Sequence, residues 1–268
     1  MSTIVSPELN QESAINEVLN STTKPIYLLS PSPEIVSMVV GSMTAHPSPP
    51  TFHILGREPD LHKIRRQFST ASLASDLIAD GELTLTASCP TGRGMLAVTD
   101  TTIYPIAHVE GQLFVCNISD DPGGLRETCE TIQGTERFDL RTPGWTRTVE
   151  TLDETFSPAV RKDFTTAVTK TASIGKEATV DEVVIALLIA AKHELLLYNI
   201  SRWGDDIQLC SQATFSRIKG KLEDHEVIET TKVPVDVGRP RLRLRLAEPY
   251  SSLSTSELIK KISITVAD

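Results

Sequence analysis

Hydrophobic positions along the first half of the chain alternate between a strand period and a helix period. Short apolar runs at PIYLLS (residues 25–30) and TFHIL (51–55) are typical of buried strands. PEIVSMVVGSM (33–43) has apolar residues at helical spacing, with a proline in its first turn. Residues 60–81 repeat the helical spacing, with Asp60 as N-cap and a glycine stop. The pattern therefore predicts strand, helix, strand, helix.

Further strand-like segments follow residue 81. ELTLTAS, GMLAVTD and TIYPIAHVEGQLFVCNI predict three or four strands, with a hairpin turn at Glu110–Gln112. A closing helix is predicted over residues 122–132. Two strand–helix units followed by a meander predict an α/β domain with a mixed sheet over residues 1–150.

After a break around residues 139–148, a helix is predicted from Ser157 to Ser173, with Ser157 as N-cap. Its apolar residues form one narrow stripe, which fits packing on the chain's own body or on a second copy. The stripe consists of Val160, Phe164, Val168 and Ala172. We assign residues 151–179 to a connecting helix and linker, and residues 180–268 to a C-terminal domain.

Helices and a basic ribbon make up this C-terminal domain. Residues 180–196 are apolar nearly all round and predict a buried central helix. Residues 197–207 predict a second helix, and after the short turn QLC a third helix is predicted with Ser211 as N-cap. IETTKV and RPRLRLRL then pair through the PVDVG loop, with Asp236 and Gly238 supplying the turn. This order predicts a winged helix-turn-helix.

The outward face of the third helix carries the groups that a DNA-recognition helix needs. Phe215, Ile218 and Leu222 are predicted to face inward. Hydroxyls and an amide suit base edges and phosphates, whereas cations suit the DNA backbone. The predicted DNA-binding side chains here are Ser211, Gln212, Thr214, Ser216, Arg217, Lys219 and Lys221.

Arginine occupies every second position of the ribbon, at Arg239, Arg241, Arg243 and Arg245. The leucines between them are predicted to face the helices, and the arginines to face solvent. Arg239 and Arg241, nearest the wing tip, are predicted to contact phosphates or a minor groove. For Arg243 and Arg245, ion pairing with Glu229 or Asp224 is the competing interpretation.

Charge is unevenly divided along the chain, whose formal net charge is −9. Residues 1–150 carry 10 basic and 18 acidic side chains, whereas residues 211–247 carry 8 basic and 5 acidic ones. An acidic protein with its positive charge in one stretch is expected to present that stretch to an acidic partner. We predict that this partner is double-stranded DNA.

One stretch of the C-terminal domain resembles a known family. SRWGDDIQLCSQATFSRIKGKLEDHEVIETTKVPVDVGRPRLRLRL (201–246) is similar to the archaeal TbsP-type transcriptional regulators, which resemble TrmB-like sugar-responsive regulators in logic. TFSRIK and KVPVDVGRPRLRL carry the match, which is strongest over residues 180–247. The resemblance implies sequence-specific promoter binding and control of metabolic genes. Glu226 departs from common winged-helix sequences, which have glycine after the recognition helix.

Signals for a metal, a cofactor or a membrane segment are weak. The four cysteines show no C-x-x-C pair and no histidine at ligand spacing, so we expect reduced thiols, no metal and no cofactor. CPTGRGML (89–96) lacks the spacing of a phosphate-binding loop and predicts a structural turn. The longest apolar run, residues 183–191, is too short to cross a bilayer, and the N-terminus lacks signal-peptide features. We therefore predict no membrane association and a cytoplasmic location.

SPSPE (30–34) places a helix N-terminus where α/β domains commonly bind anions. A sugar phosphate or similar small-molecule effector is therefore a hypothesis for the first domain. A homodimer is predicted because winged-helix regulators commonly read two half-sites. The two candidate interfaces are the stripe that contains Phe164 and the tail helix around residues 254–262.

Two other functions compete with the regulator hypothesis. One is a DNA-tethered enzyme with a catalytic α/β domain, but no motif supplies a paired nucleophile, base and acid, so we predict no enzyme. The other is a winged helix used for protein–protein contacts, whose basic face binds an acidic partner. Salt-dependent duplex binding separates this second alternative from the regulator.

Overall fold

The computed structural model describes residues 11–90, 94–109, 112–116, 121–174, 180–234 and 239–265. The chain divides into two compact units, Met1–Gly144 and Trp145–Asp268. The sequence predicted a first domain to residue 150 and a separate connector over 151–179. In the structure, a helix that begins at Trp145 opens the second unit, so the segment expected to connect two domains belongs to one of them.

The first unit is built on a six-stranded mixed sheet. The strands are β1 (Ile26–Leu29), β2 (Phe52–Leu55), β3 (Leu83–Thr86), β4 (Met95–Val98), β5 (Ile103–Val109) and β6 (Gln112–Val115). They lie in the order β3-β2-β1-β4-β5-β6. β1, β2 and β3 are parallel, and the remaining neighbours are antiparallel. The predicted α/β domain with a mixed sheet is confirmed. The hairpin turn falls on residues 110 and 111, which lie outside the described residues.

Helices cover both faces of this sheet. Those of the first unit are α1 (Gln11–Asn20), α2 (Pro33–Ala45), α3 (Glu58–Arg65), α4 (Phe68–Ala79) and α5 (Gly123–Ile132). Because successive strand side chains point to opposite faces, Ile26 and Leu28 pack with α1 to α4, whereas Tyr27 and Leu29 pack with Cys129 of α5. The single helix expected over residues 60–81 is in fact two, because Gln67 has non-helical backbone angles.

The second unit consists of helices around a two-stranded β-ribbon. Its elements are α6 (Trp145–Thr155), α7 (Pro158–Ile174), α8 (Glu182–Lys192), α9 (Leu197–Asp206), α10 (Gln212–Asp224), β7 (Ile228–Val233), β8 (Arg241–Leu246) and α11 (Thr255–Thr265). Ser157 caps α7 as predicted, since its Oγ accepts a hydrogen bond from the Val160 amide at 3.3 Å. Every residue of α8 from Val183 to Ala191 is buried, which confirms the predicted central helix.

The stripe on α7 packs inside the second unit. Val160, Phe164 and Val168 are buried, where α7 meets α6, α8 and α11. Of the two packing partners considered for these residues, the chain's own body is the one observed. α11 also packs inside the second unit, because its residues Leu258 and Ile259 are fully buried. Neither helix offers these apolar side chains to a second copy.

A polar cluster fastens α7, α8 and α11 together. Asp163 of α7 accepts hydrogen bonds from His193 Nε2 at 2.8 Å and from Thr255 Oγ1 at 2.6 Å, and Lys192 Nζ lies 3.3 Å from the same carboxylate. Burial raises the pKa of Asp163, but the hydrogen bonds from Thr255 and His193 outweigh burial and hold the pKa below its usual value. The cluster therefore attaches α7 and α11 to the end of the central helix.

Candidate nucleic-acid interface

α9 and α10 are in close contact at Gly204, where there is no space for a side chain. A Cβ atom on Gly204 of α9 would lie 2.3 Å from the ring of Phe215, which is fully buried in α10. Gln208, with a φ of 65°, takes the left-handed conformation that ends α9, and the Leu209 amide donates to the Gly204 carbonyl at 2.8 Å. These contacts fix the angle between the two helices of the helix-turn-helix.

α10 has a buried apolar face and an exposed polar face, as the sequence predicted. Ser211 is its N-cap, and its Oγ accepts a hydrogen bond from the Thr214 amide at 3.3 Å. Phe215, Ile218 and Leu222 are buried. Among the predicted DNA-binding side chains, the exposed ones are Ser211, Gln212, Ser216, Arg217 and Lys221, whereas Thr214 and Lys219 are half-buried.

The polar side chains of α10 differ in whether they already have partners. Gln212 Nε2 donates to Asp205 Oδ2 at 3.1 Å. Lys219 Nζ lies 2.6 Å from Glu223 Oε2, and its side chain is only 16% exposed, so its charge is largely neutralised within the helix. Within the described ranges, Arg217 and Lys221 are exposed and make no ion pair. These two are the helix's available cations.

The turn after α10 contains the residue that departs from common winged helices. Glu226 has a φ of 54°, the left-handed conformation that favours glycine. The Val227 amide donates to the Leu222 carbonyl at 2.9 Å and closes the helix end. A glutamate therefore occupies the glycine conformation here without interrupting the passage into β7.

The β-ribbon follows the predicted alternation over residues 244–246 only, because Arg241, Leu242 and Arg243 are all half-buried. β7 and β8 pair antiparallel from Ile228 opposite Leu246 to Val233 opposite Arg241. Leu244 and Leu246 are buried, and Arg245 is exposed. β8 is also flanked on its other edge, because Leu196 forms a bridge with Arg243. The Asp236 and Gly238 turn lies outside the part of the chain that the structure describes.

Two of the four ribbon arginines, Arg245 and Arg241, have partners that the sequence did not indicate. Arg245 Nη2 lies 3.1 Å from Glu194 Oε2, so its ion pair is with neither Glu229 nor Asp224. Among the described residues, Arg243 pairs with neither of these carboxylates, and its Nε is buried without a hydrogen bond. Arg241 stacks on Tyr198, with its Cζ 3.4 Å from the ring centroid. Arg239 is exposed beside the undescribed tip.

Two surface residues of α9 were missed by sequence reasoning. Tyr198 is 39% exposed, and Arg202 Nη1 donates to its hydroxyl at 3.4 Å. Hydrogen bonds and charge from Arg202 and Arg241 hold the pKa of Tyr198 below its usual value, as expected beside positive charge. An aromatic residue and an arginine four positions apart on the face away from Ile200 and Trp203 were the available signal.

The described part of the first unit contains a cavity but no defined ligand-binding site. A cavity of about 690 Å³ lies between α4 and residues 137–142. At the predicted anion site, the Ser32 hydroxyl is engaged in capping α2, and Ser30 Oγ lies 3.1 Å from Cys89 Sγ. No group of His, Cys, Asp and Glu side chains suited to a metal occurs in the described residues. None of the four cysteines, all of which are described, forms a disulfide, and burial raises the pKa of the Cys129 thiol to about 11.

Two family models together cover nearly the whole chain. Residues 5–143 match the N-terminal model of the TbsP-like transcriptional regulators, and residues 144–263 match their C-terminal helix-turn-helix model. The chain belongs to the TbsP-like transcriptional regulator family. Both models describe domains of transcriptional regulators, and their boundary agrees with the division at Gly144. Comparison with curated proteins and with solved structures finds no match. Among the described helices, none has the length and apolar character needed to cross a bilayer.

Proposed function

We propose that this TbsP-like regulator binds specific DNA sequences, with α10 in the major groove and the β-ribbon as a wing on the phosphate backbone or in a minor groove. Its targets are metabolic genes, and it acts in the cytoplasm. The major groove of B-DNA admits one α-helix, and side chains from the helix's first turns reach the base edges there.

The observation that carries this proposal is the exposed, uncompensated charge of α10. In a chain of net charge −9, Arg217 and Lys221 are exposed and have no ion pair in the described ranges. Neighbouring cations such as Lys219 and Arg245 are paired with carboxylates. Keeping two cations unpaired on the outward face of one helix favours a polyanionic partner, because phosphate neutralisation supplies most of the affinity for DNA.

The predicted site residues divide into three roles under this proposal. Gln212, Ser216 and Arg217 lie in the first turns of α10 and read base edges. Lys221, Arg239 and Arg241 neutralise phosphates. The remaining three support the helix, since Ser211 and Thr214 form its cap and Lys219 pairs with Glu223.

Arg239→Ala should weaken binding to specific and scrambled duplexes about equally. One phosphate contact is lost, so the slope of log K against log salt should decrease by roughly one unit. The measurement is a titration of the full chain against duplex DNA at several salt concentrations. Arg245→Ala is the matched control, because Glu194 already neutralises that arginine. A wild-type chain that binds no duplex at low salt would refute the proposed function.

We also propose that two copies bind one operator, because paired half-sites about one helical turn apart require two helix-turn-helix domains. The described apolar side chains of α7 and α11 are buried inside one chain, which favours a dimer surface elsewhere. The first unit is proposed to supply that surface or to sense a small-molecule effector. On operator DNA, light scattering should give the mass of two chains plus one duplex. A monomer at tens of micromolar, both free and on DNA, would contradict the dimer.

A further inference from the structure

Three side chains meet at the amino end of α9. The Arg241 guanidinium lies 3.4 Å from the centre of the Tyr198 ring, and Arg202 donates to the Tyr198 hydroxyl at 3.4 Å. The ring is 39% exposed, so this cluster lies at the surface. We call these three residues the tyrosine clamp.

The register of a single bridge explains how the clamp forms. Leu196 bridges Arg243 in antiparallel fashion. This bridge holds the segment between α8 and α9 beside β8, where Glu194 meets Arg245 and Tyr198, in the first turn of α9, meets Arg241. Equivalent arginines on one strand therefore meet different neighbours. Arg245 meets a carboxylate, whereas Arg241 meets a ring that carries no charge to neutralise it.

Positive charge at the clamp is left largely uncompensated. In the described parts of the chain, Arg241 makes no ion pair. Arg202 has Asp206 at 3.7 Å, a longer contact between more exposed side chains than the 3.1 Å pair of Arg245 with Glu194, so it compensates less charge. No side chain caps the amino end of α9, which adds the positive end of a helix dipole. Two guanidinium groups and a free helix end thus converge on one small surface.

We infer that Tyr198 is a positioning residue that orients Arg241 and Arg202 to hold one DNA phosphate between the ribbon and the amino end of α9. The inference rests on the proposed function and adds α9 to the DNA-contacting surface. A guanidinium stacked flat on a ring keeps its planar N–H donors directed outward, where they match the oxygens of a phosphate. The stack also limits side-chain motion before DNA arrives, which lowers the entropic cost of the contact.

The test is a double-mutant cycle on the full chain with a scrambled duplex at several salt concentrations. Tyr198→Ala should weaken binding about two- to fivefold, the size of an exposed cation–π contact. Tyr198→Phe retains the stack on Arg241 and should lose less. Arg241→Ala should weaken binding and reduce the salt slope by about one unit. In the Arg241→Ala background, Tyr198→Ala should lose most of its effect, because the stacked guanidinium is gone and only Arg202 is left to orient.

Arg245→Ala, two residues along the same strand face, is the matched control and should leave the salt slope unchanged. Thermal melting of each variant tests whether the fold is retained. If the wild type binds but the Tyr198→Ala and Arg241→Ala effects simply add, or if Tyr198→Ala has no effect, the positioning role is overturned and the DNA-binding function stands. If the wild type binds no duplex, the proposed function falls together with the clamp.

Discussion

Arg217→Ala should cost about 1–3 kcal/mol on the operator and much less on scrambled duplex, because it removes a directional contact to a base edge. Arg217 is exposed in the first turns of α10 and makes no ion pair in the described ranges, so its removal leaves no buried carboxylate behind. The loss should therefore appear in DNA recognition and not in folding stability.

The specificity ratio is the quantity to measure for Arg217→Ala. It is the affinity for the operator divided by the affinity for a scrambled duplex at equal salt. Lys219→Ala is the control on the same helix, because Lys219 is paired with Glu223 and is expected to leave the ratio unchanged. An unchanged ratio for Arg217→Ala would show that α10 does not read bases through this residue.

Gly204→Ala should destabilise the second unit by about 1–3 kcal/mol, because the new methyl group has no space. Its Cβ would lie 2.3 Å from the ring of Phe215, a fully buried side chain that cannot move aside without disturbing the core. Any relaxation changes the angle between α9 and α10. DNA affinity should therefore fall even under conditions in which the variant remains folded.

Gly220→Ala is the matched control for this prediction. Gly220 is also a helical glycine of the helix-turn-helix, but beyond its own helix backbone a Cβ there would meet no described atom within 4 Å. Alanine has the higher helix propensity, so this variant should be more stable by up to about 1 kcal/mol. Denaturant unfolding followed by circular dichroism compares the two. Equal stability of Gly204→Ala and wild type would show that the crossing is looser than described.

Short sequence patterns correctly predicted the helix N-caps and the buried strands. Ser157 and Ser211 were recognised as N-caps because a hydroxyl before an amphipathic run satisfies free helix amides, and both caps occur. The buried strands β1 and β2 were recognisable as short apolar runs between helical patterns. The division between α3 and α4 was missed, because the apolar spacing continues through residues that leave the helical conformation.

Contacts between distant residues were beyond local signals. The alternation of arginine and leucine in β8 predicted which face is buried, but not what each arginine touches. That depends on Leu196 lying beside Arg243, a register set by how α8 and α9 pack. The partner of Arg245 was consequently predicted as Glu229 or Asp224 instead of Glu194, and the Tyr198 contact was not foreseen. The role of α7 was likewise undecided until its packing was visible.

Genome-wide binding maps of the tagged wild-type chain and of Arg217→Ala, at matched protein levels, test the central claim most directly. We expect the wild type to occupy discrete promoter sites that share one sequence motif. Occupancy at these sites should be lost in Arg217→Ala, because the contact that separates the operator from other DNA is removed. A wild-type map without reproducible sites, or an identical map for the variant, would contradict sequence-specific recognition by α10.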